Sequence, residues 1–341
     1  MSGSVVLRPV RSQDVDSMWK LLQAGAPDTV GMTSLPGSHE GTASLVEHSG
    51  RTLTALATGE FELPAGDHAH IVLVAIDNQS GEVLGTSGMT FKQDVPNLAV
   101  QVTTSLDGLG LTMRSSSDPW TRTELNAIYV GAAGRGRRLG TLLSRSRILF
   151  IHLVRSQTPA TVASHLRGRF DPDGRAPFWQ CFGARFTPWS DSVEAESALA
   201  AGPEQIEQLA DLVLPLTPTD LDSLGLVNSA SLPAFRMLMK EGLRSNGMYD
   251  PIDGGPTVAA NITETWSGRH RVHGPAVPGP GGDVDALVAV PSVARFASVR
   301  TDIRIDEESG IHVRADVAEL LGLDHGALTT ALPLSEIGVR R

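Results

Sequence analysis

A strand, a glycine-rich turn and a helix follow one another between residues 123 and 156, and this succession constrains the fold more than any other segment. Residues 123–130 predict a strand, and apolar side chains recur at helical spacing over about 139–156. The turn holds three glycines close to the predicted helix start: Gly134, Gly136 and Gly140. A helix start has unpaired N–H groups and a partial positive charge, and glycine lets a ligand approach the backbone closely. The segment therefore predicts a phosphate site or, more plainly, a tight connection.

Five arginines fall within thirteen residues of this segment, although the whole chain has a net charge of −10: Arg135, Arg137, Arg138, Arg145 and Arg147. Guanidinium groups match phosphate oxygens in geometry and charge, whereas arginines on a helix also commonly form a solvated face. A Walker A loop is excluded because no Gly-Lys-Ser/Thr follows. A dinucleotide fingerprint is disfavoured because the two strands upstream, 70–76 and 83–91, predict a hairpin. If the turn binds phosphate, these patterns therefore favour a pyrophosphate-bearing ligand other than a P-loop nucleotide or a dinucleotide.

The rest of the chain predicts an α+β protein with a β-rich end. A strand at 5–9, a helix at about 40–57 and a strand at 160–166 accompany the central segment. Helical patterns cover 203–214 and 230–242, and short strands are predicted near 286–290, 295–305, 311–314 and 327–333. Residues 274–282 predict a linker, because seven of the nine are Gly or Pro. We expect a core over 1–200, an acceptor-side segment over 201–273, and a small β-rich unit over 283–341.

Composition narrows the functional classes. The acidic net charge argues against a nucleic-acid partner, and no run of about 18 apolar residues predicts a membrane span. Cys181 is the single cysteine, which excludes an internal disulfide and agrees with a cytoplasmic location and an inert core position. His68 with His70, and His270 with His273, have metal-like spacings but lack cysteine or acidic partners nearby, so no metal site is predicted.

The segment Arg135-Gly-Arg-Arg-Leu-Gly140 resembles the acyl-CoA turn of the GNAT acyltransferases, Arg/Gln-x-x-Gly-x-Gly/Ala, with Arg138 in place of the middle glycine. Four further segments resemble signatures of the arginine N-succinyltransferase family, in that family's order: Thr33–Pro36, Arg167–Gly168, Pro177–Gln180 and Asp253–Thr257. The resemblance implies a GNAT-type fold with a C-terminal β-rich extension. It also implies transfer of an acyl group, typically succinyl, from CoA to the α-amino group of arginine, and a homo-oligomer, which we expect to be a dimer.

The resemblance also implies roles for individual residues. The acyl-CoA cosubstrate would contact the strand end and the turn through Ile128, Val130, Arg135, Gly136, Arg138, Leu139, Gly140 and Thr141. The amine acceptor would lie near Thr33, Ser34, Asp250 and Asp253, although an Asp-Gly-Gly turn is the plainer interpretation of the two aspartates. No tightly bound cofactor is expected.

The general base is the weak point of the resemblance. Thr217 stands where the family has a histidine, Asn228 replaces a second one, and a threonine cannot act as a base near neutral pH. Glu124 and His165 are substitute candidates for the base; their plainer roles are a salt bridge and a surface histidine. Tyr129 is a candidate to protonate the CoA thiolate, and its plainer role is core packing. Two hypotheses follow: an N-acyltransferase acting on arginine or a related amine, and a non-catalytic relative that binds acyl-CoA, for instance as the partner subunit of an active paralogue.

Overall fold

The computed structural model describes residues 5–25, 34–104, 111–171, 173–181, 184, 189, 191–195, 213–215 and 218–335. The elements of the first half are β1 (Val5–Pro9), α1 (Val15–Ala24), α2 (His39–Thr58), β2 (His68–Asp77), β3 (Val83–Pro96), β4 (Ala99–Thr104), β5 (Leu111–Ser116), β6 (Pro119–Val130), α3 (Leu139–Val154) and β7 (Thr161–His165). The predicted strand, turn and helix of the central segment are confirmed, as is the hairpin before them.

The second half contains shorter elements. They are α4 (Pro177–Cys181), β8 (Val213–Pro215), α5 (Pro218–Ser223), α6 (Leu232–Lys240), β9 (Arg244–Tyr249), β10 (Pro256–Asn261), α7 (Trp266–His270), β11 (Val272–Gly279), β12 (Val284–Ala289), β13 (Ser298–Asp306), β14 (Gly310–Arg314), α8 (Ala315–Leu321) and β15 (Leu328–Pro333).

The central sheet has the order β1-β2-β3-β6-β7-β10-β9, and all its neighbours are antiparallel except β6 and β7. Because β6 and β7 are parallel, α3 connects them across one face of the sheet. That face is packed with buried apolar side chains, among them Leu73, Leu125 and Phe150. The other face is covered by α1 and α2, with Met18 and Val74 between the layers. The predicted α+β class is confirmed.

The C-terminal strands close into a ring, β12-β15-β11-β14-β13, because β13 pairs back with β12. Its interior is filled by small and branched side chains such as Val288, Val299 and Ile303. Strand β13 also pairs with β1 at Leu7 and Ser298, so the ring continues the central sheet. The β-rich end expected from the sequence is present.

Two predicted segments require correction. The linker at 274–282 is wrong, since Val272–Gly279 forms β11 and pairs with both β14 and β15. Proline lacks an N–H, but alternate residues such as Ala276 still donate to the ladder, here to the Ala327 carbonyl. The ring therefore begins near 272. Of the helix predicted at 203–214, residues 203–212 lie outside the described part of the chain, and Val213–Pro215 forms a strand that pairs with β5. A short apolar run does not distinguish a helix from a strand. The other domain boundaries remain predictions.

Among the helices in the described ranges, none is both long and apolar enough to cross a membrane.

Candidate active site

The cleft of this fold opens where β6 and β7 separate. In the described residues their backbone pairs are Thr123 with Val162 and Glu124 with Ala163. Beyond these pairs, the C-terminal part of β6 extends without a backbone partner on β7. A parallel pair that diverges in this way leaves strand N–H and C=O groups available to a ligand, because a backbone group removed from its ladder still requires a hydrogen-bond partner.

A β-bulge lies in this unpaired part of β6. The register with β3 shifts between the pair Gly88–Asn126 and the pair Thr86–Tyr129, and Ala127 has a φ of 49°. A side chain at Gly88 would not fit opposite the bulge, since an added Cβ would lie 2.5 Å from Asn126 Oδ1. A non-glycine residue at positive φ is strained, so surrounding contacts must hold the bulge in place.

Three side chains supply those contacts. The Ala127 N–H donates to Ser34 Oγ at 3.2 Å, and Thr86 Oγ1 donates to the Ala127 carbonyl at 2.9 Å. From the α3 side of the sheet, Arg147 Nη1 donates to the Asn126 carbonyl at 3.2 Å. Ser34 was predicted near the acceptor, and the structure places its hydroxyl on the backbone of the bulge.

The arginines of α3 are turned inward. Arg147 is only 2% exposed, and burial lowers its pKa to about 10, against the opposing effect of Glu241. Arg145 Nε lies 2.8 Å from Glu241 Oε1, and its guanidinium stacks 4.1 Å from the centre of the Trp266 ring. Neither arginine belongs to a solvated helix face, and both lie along the packed sides of α3.

The N-terminus of α3 is open to a ligand. The first N–H groups of any α-helix, here from Leu139 to Thr141, have no intrahelical partner. Within the described part of the chain, no side chain caps the start of α3 in their place. Gly136 has a φ of 76°, and an added Cβ at Gly140 would meet only Met237, at 3.7 Å. Since protein atoms do not crowd this surface, glycine there leaves room for a bound group.

Arg138 occupies the position of the middle glycine in the family turn, and its backbone conformation explains why that position favours glycine. Its φ is 60° and its ψ is 24°, which is the left-handed region. Its side chain is 73% exposed and lies 3.9 Å from Asp285 of the ring, whereas Arg137 pairs with Asp77 at 2.9 Å. Arg135 is exposed on the same turn.

The side chains at the end of β6 alternate between the two faces. Ile128 and Val130 pack against the core on the α3 face. Tyr129 packs on the opposite face with Met18, and its hydroxyl is so close to Gly25 that a Cβ there would lie 2.1 Å away. The position of Tyr129 fits core packing, the plainer of its two candidate roles.

Glu124 is the centre of a charged cluster beside the cleft. Its Oε2 lies 2.7 Å from Lys92 Nζ, 3.3 Å from Arg122 Nη2 and 3.6 Å from His165 Nε2. Burial alone would raise the pKa of Glu124, but His165, Lys92 and Arg122 together lower it to about 2. A carboxylate with so low a pKa is always ionised near neutral pH and is a weak base, which favours a positioning role over proton abstraction.

His165 ends β7 at the mouth of the cleft. Its Nδ1 hydrogen-bonds Thr257 Oγ1 at 2.9 Å, and the edge of its ring faces Trp120. Burial lowers the pKa of His165 below 6.5, although Glu124 opposes the shift. A neutral imidazole that Thr257 and Trp120 hold in place can accept a proton at neutral pH. Thr257 was not predicted as a site residue, although the Asp253–Thr257 signature ends on it.

The family signatures interlock next to this histidine. Asp253 accepts hydrogen bonds from the N–H groups of Gly168 and Gly255, each at 2.8 Å. Gly254 has a φ of 69° and lies against Phe178, which would be 2.7 Å from an added Cβ. Burial, and then the charge of Asp250, raise the pKa of Asp253 to about 8. Both oxygens of Asp253 are engaged with the loop backbone.

Asp250 also serves the loop, since its Oδ1 accepts the N–H groups of Ile252 and Asp253 at 2.8 and 3.1 Å. These contacts match the plainer interpretation of both aspartates. Nearby, the N–H of Asn228 donates to the Arg167 carbonyl, and its side chain caps the turn at Ala230.

A cavity of about 640 Å³ adjoins the interlocked signatures. Its lining includes Phe178 and Gln180 from one signature, and Asp222, Ser223 and Leu226 from and just after α5. Arg169, Asp171 and Arg175, from the segment before that signature, also line it. Its size is in the range typical of sites for small molecules.

Two predicted site residues, Thr33 and Thr217, lie outside the described residues. In the part of the chain that the structure describes, no group of three or more His, Cys, Asp or Glu could hold a metal ion, and His68 and His70 instead make an edge-to-face ring contact.

The diverging strands, the bulge and the uncapped glycine turn at the start of α3 together define a GNAT-type, CoA-dependent N-acyltransferase. The family description "Arginine N-succinyltransferase beta subunit" matches residues 5–267, and the chain belongs to this family. It is 27% identical over 354 residues to an arginine N-succinyltransferase of Yersinia enterocolitica, covering 96% of this chain and 97% of that protein. An Escherichia coli arginine N-succinyltransferase is 29% identical over 276 residues, 76% of each chain.

The fold matches that of the arginine/ornithine succinyltransferase subunit AI from Pseudomonas aeruginosa, with a TM-score of 0.81 at 22% identity, over 98% of this chain and 100% of that one. At that identity the likeness establishes the shared fold, and the chemistry depends on the residues described above.

Proposed function

We propose that this chain transfers a succinyl group from succinyl-CoA to the α-amino group of arginine or a closely related amine. Support comes from the family to which it belongs and from relatives named arginine N-succinyltransferase. The observation that carries the proposal is the position of His165 at the mouth of the cleft, where β6 leaves β7. A cytoplasmic homodimer is part of the same proposal.

The CoA pyrophosphate binds at the start of α3, where the N–H groups from Leu139 to Thr141 and the helix dipole favour anions. The thioester then lies in the opening beside β6. There the backbone from Ile128 to Val130 donates to the carbonyl oxygen, which becomes negatively charged as the amine attacks.

His165 acts as the base in this mechanism. The neutral amine nitrogen attacks the thioester carbon, its proton passes to His165 Nε2, and the carbon–sulfur bond breaks to release the CoA thiolate, which takes up a proton. Glu124 lies 3.6 Å from the same nitrogen and stabilises the imidazolium that forms. Thr257 keeps the ring oriented through Nδ1.

The acceptor side chain occupies the 640 Å³ cavity beside the signatures. Asp222 is exposed at its wall and offers a carboxylate to a guanidinium or ammonium group, while Leu226 and Phe178 cover the aliphatic stem. Exchange of Asp222 for Asn should raise KM for basic acceptors more than it lowers kcat.

A non-catalytic, acyl-CoA-binding subunit is the second candidate. It is favoured by Thr217 and Asn228, which replace the two histidines that the family resemblance implies. The word "subunit" in the names of the family and of the Pseudomonas protein agrees with such a role.

A thiol-release assay separates the two candidates. Purified protein is screened with succinyl-CoA and acetyl-CoA against arginine, ornithine and other amines, and CoA binding is measured in parallel by calorimetry. We expect turnover, and a fall in kcat of about 10²–10⁴ in His165→Gln with acyl-CoA affinity retained. The exposed His325→Gln is the matched control. Binding without turnover for every pair would favour the non-catalytic subunit, and full activity of His165→Gln would place the base elsewhere.

A further inference from the structure

A positively charged cavity lies at the junction between α3 and the C-terminal ring, away from the active site. His152 and Arg155 come from the end of α3, and Arg271 and His273 from the start of β11. With Thr330 and apolar neighbours they line a cavity of about 50 Å³; the apolar walls include Leu149, Leu153, Val290, Pro291 and Phe296.

The buried member of this group has an unmet hydrogen-bonding capacity. His152 is 3% exposed, and neither ring nitrogen makes a hydrogen bond of normal geometry to any residue that the structure describes. Burial, then Arg271 and Arg155, lower its pKa to about 4, while the nearby backbone of Ile262 raises it. A buried polar side chain in this state usually has a bound water or ion as its partner.

Among the described residues, neither arginine of the cavity forms an ion pair with a carboxylate. After burial, Arg155 is the neighbour that lowers the pKa of Arg271, and both arginines lower the pKa of His273. Within the described ranges, no carboxylate is among the causes that shift the pKa of Arg271 or His273. By contrast, Arg145 of the same helix pairs with Glu241.

Both guanidinium groups have N–H donors to offer. Among the residues that the structure describes, each makes one hydrogen bond to a backbone carbonyl, Arg155 to His152 at 3.0 Å and Arg271 to Gly268. A guanidinium carries five N–H donors, so further donors remain for a ligand in the cavity they line.

We propose that this cavity binds one small monovalent anion of chloride size, which links the end of α3 to the C-terminal ring. A volume of about 50 Å³ exceeds the roughly 30 Å³ that one water occupies, but is too small for a nucleotide. The apolar walls suit a weakly hydrated anion. Because Arg155 lies on one side of the junction and Arg271 on the other, the anion strengthens the attachment of the ring.

The test measures thermal unfolding of the full chain in sodium chloride and in sodium gluconate at equal ionic strength, since gluconate is too large for the cavity. We expect a saturable rise in Tm with chloride of roughly 2–4 °C. Arg271→Gln and Arg155→Gln should each abolish most of the rise. Arg269→Gln removes the same charge from an exposed position on α7, two residues before Arg271, and should retain the rise in Tm.

Crystals soaked in bromide supply the second measurement, through an anomalous peak between Arg155 and Arg271. A cavity filled only by water, equal Tm values in the two salts, or an undiminished chloride effect in both arginine variants would each overturn the proposal. None of these measurements depends on acyltransferase activity, so a failed activity screen leaves this result unaffected.

Discussion

Replacement of Arg138 by glycine tests the turn at the start of α3. Arg138 has a φ of 60°, and a non-glycine residue in this region costs about 1–2 kcal/mol. Glycine removes this cost but loses about 0.4–1 kcal/mol through the greater freedom of the unfolded chain. The contact with Asp285, at 3.9 Å and with the arginine 73% exposed, contributes little. We expect Arg138→Gly to be more stable than wild type by about 0.5 kcal/mol.

Chemical denaturation of three proteins measures this difference: wild type, Arg138→Gly and Arg138→Ala. Alanine keeps the strained backbone and also loses the ion pair, so only glycine should raise the free energy of unfolding. If the alanine variant is as stable as the glycine variant, the left-handed conformation at this residue is not strained and the reasoning is refuted.

The same two variants report on the ligand. The Arg138 side chain is exposed at the helix start, so we expect it to add a contact to a bound phosphate rather than to crowd it. Calorimetric affinity for CoA should fall by a factor of about 2–5 in both variants. Tighter binding by Arg138→Gly would show that arginine obstructs the turn.

Three further predictions concern the cleft and the core. Gly140→Val should weaken acyl-CoA binding by about 2 kcal/mol with little change in Tm, whereas Gly140→Ala should bind as wild type does. If calorimetry gives the valine variant the affinity of wild type, the start of α3 does not bind the phosphate groups. Arg147→Met should lower kcat by about 10²-fold with a smaller change in KM, because the bulge at Asn126 loses the hydrogen bond that supports it. Arg147→Lys should recover part of the lost kcat, and a variant in which only Tm falls would contradict this role. Burial, then His68, lower the pKa of His70 to about 4, below its unfolded value of 6.5, so the unfolded state binds more protons between these values and stability is lost as the pH falls. Urea unfolding should show wild type losing about 2–3 kcal/mol relative to His70→Gln from pH 6.5 to 4, and a constant difference would refute it.

Local patterns predicted the central elements well. The helix expected over about 139–156 is Leu139–Val154, and the strand at 5–9 is Val5–Pro9. Both follow from the spacing of apolar residues, which neighbouring elements only reinforce. The pattern was less informative about which side chains of α3 are buried. Arg147 and His152 are enclosed along with the leucines, because the sheet, the ring, α6 and α7 all contact this helix.

The site was harder to predict because its contacts join distant parts of the chain. The hydrogen bond between His165 and Thr257 spans 92 residues, and the ion pair of Glu124 with Lys92 spans 32. The sequence placed Glu124 and His165 among the candidate bases, but their mutual distance decides their roles. Glu124 is an ionised carboxylate because His165, Lys92 and Arg122 lower its pKa, whereas burial lowers the pKa of His165 against the opposing charge of Glu124 and keeps the imidazole neutral.

The sequence by itself determined the α+β class, the glycine-rich turn with its unusual Arg138, and the family resemblance, because these depend on short-range spacing and residue type. Only the tertiary structure decided that the Pro/Gly segment at 274–282 contributes a ring strand, and that Asp253 ties down a loop. The tertiary structure also decided that Arg147 hydrogen-bonds the backbone of the β6 bulge. Each of these outcomes depends on which backbone groups and charges come together when distant strands pair. Strand pairing depends on burial over the whole fold and not on the neighbours of a residue along the chain.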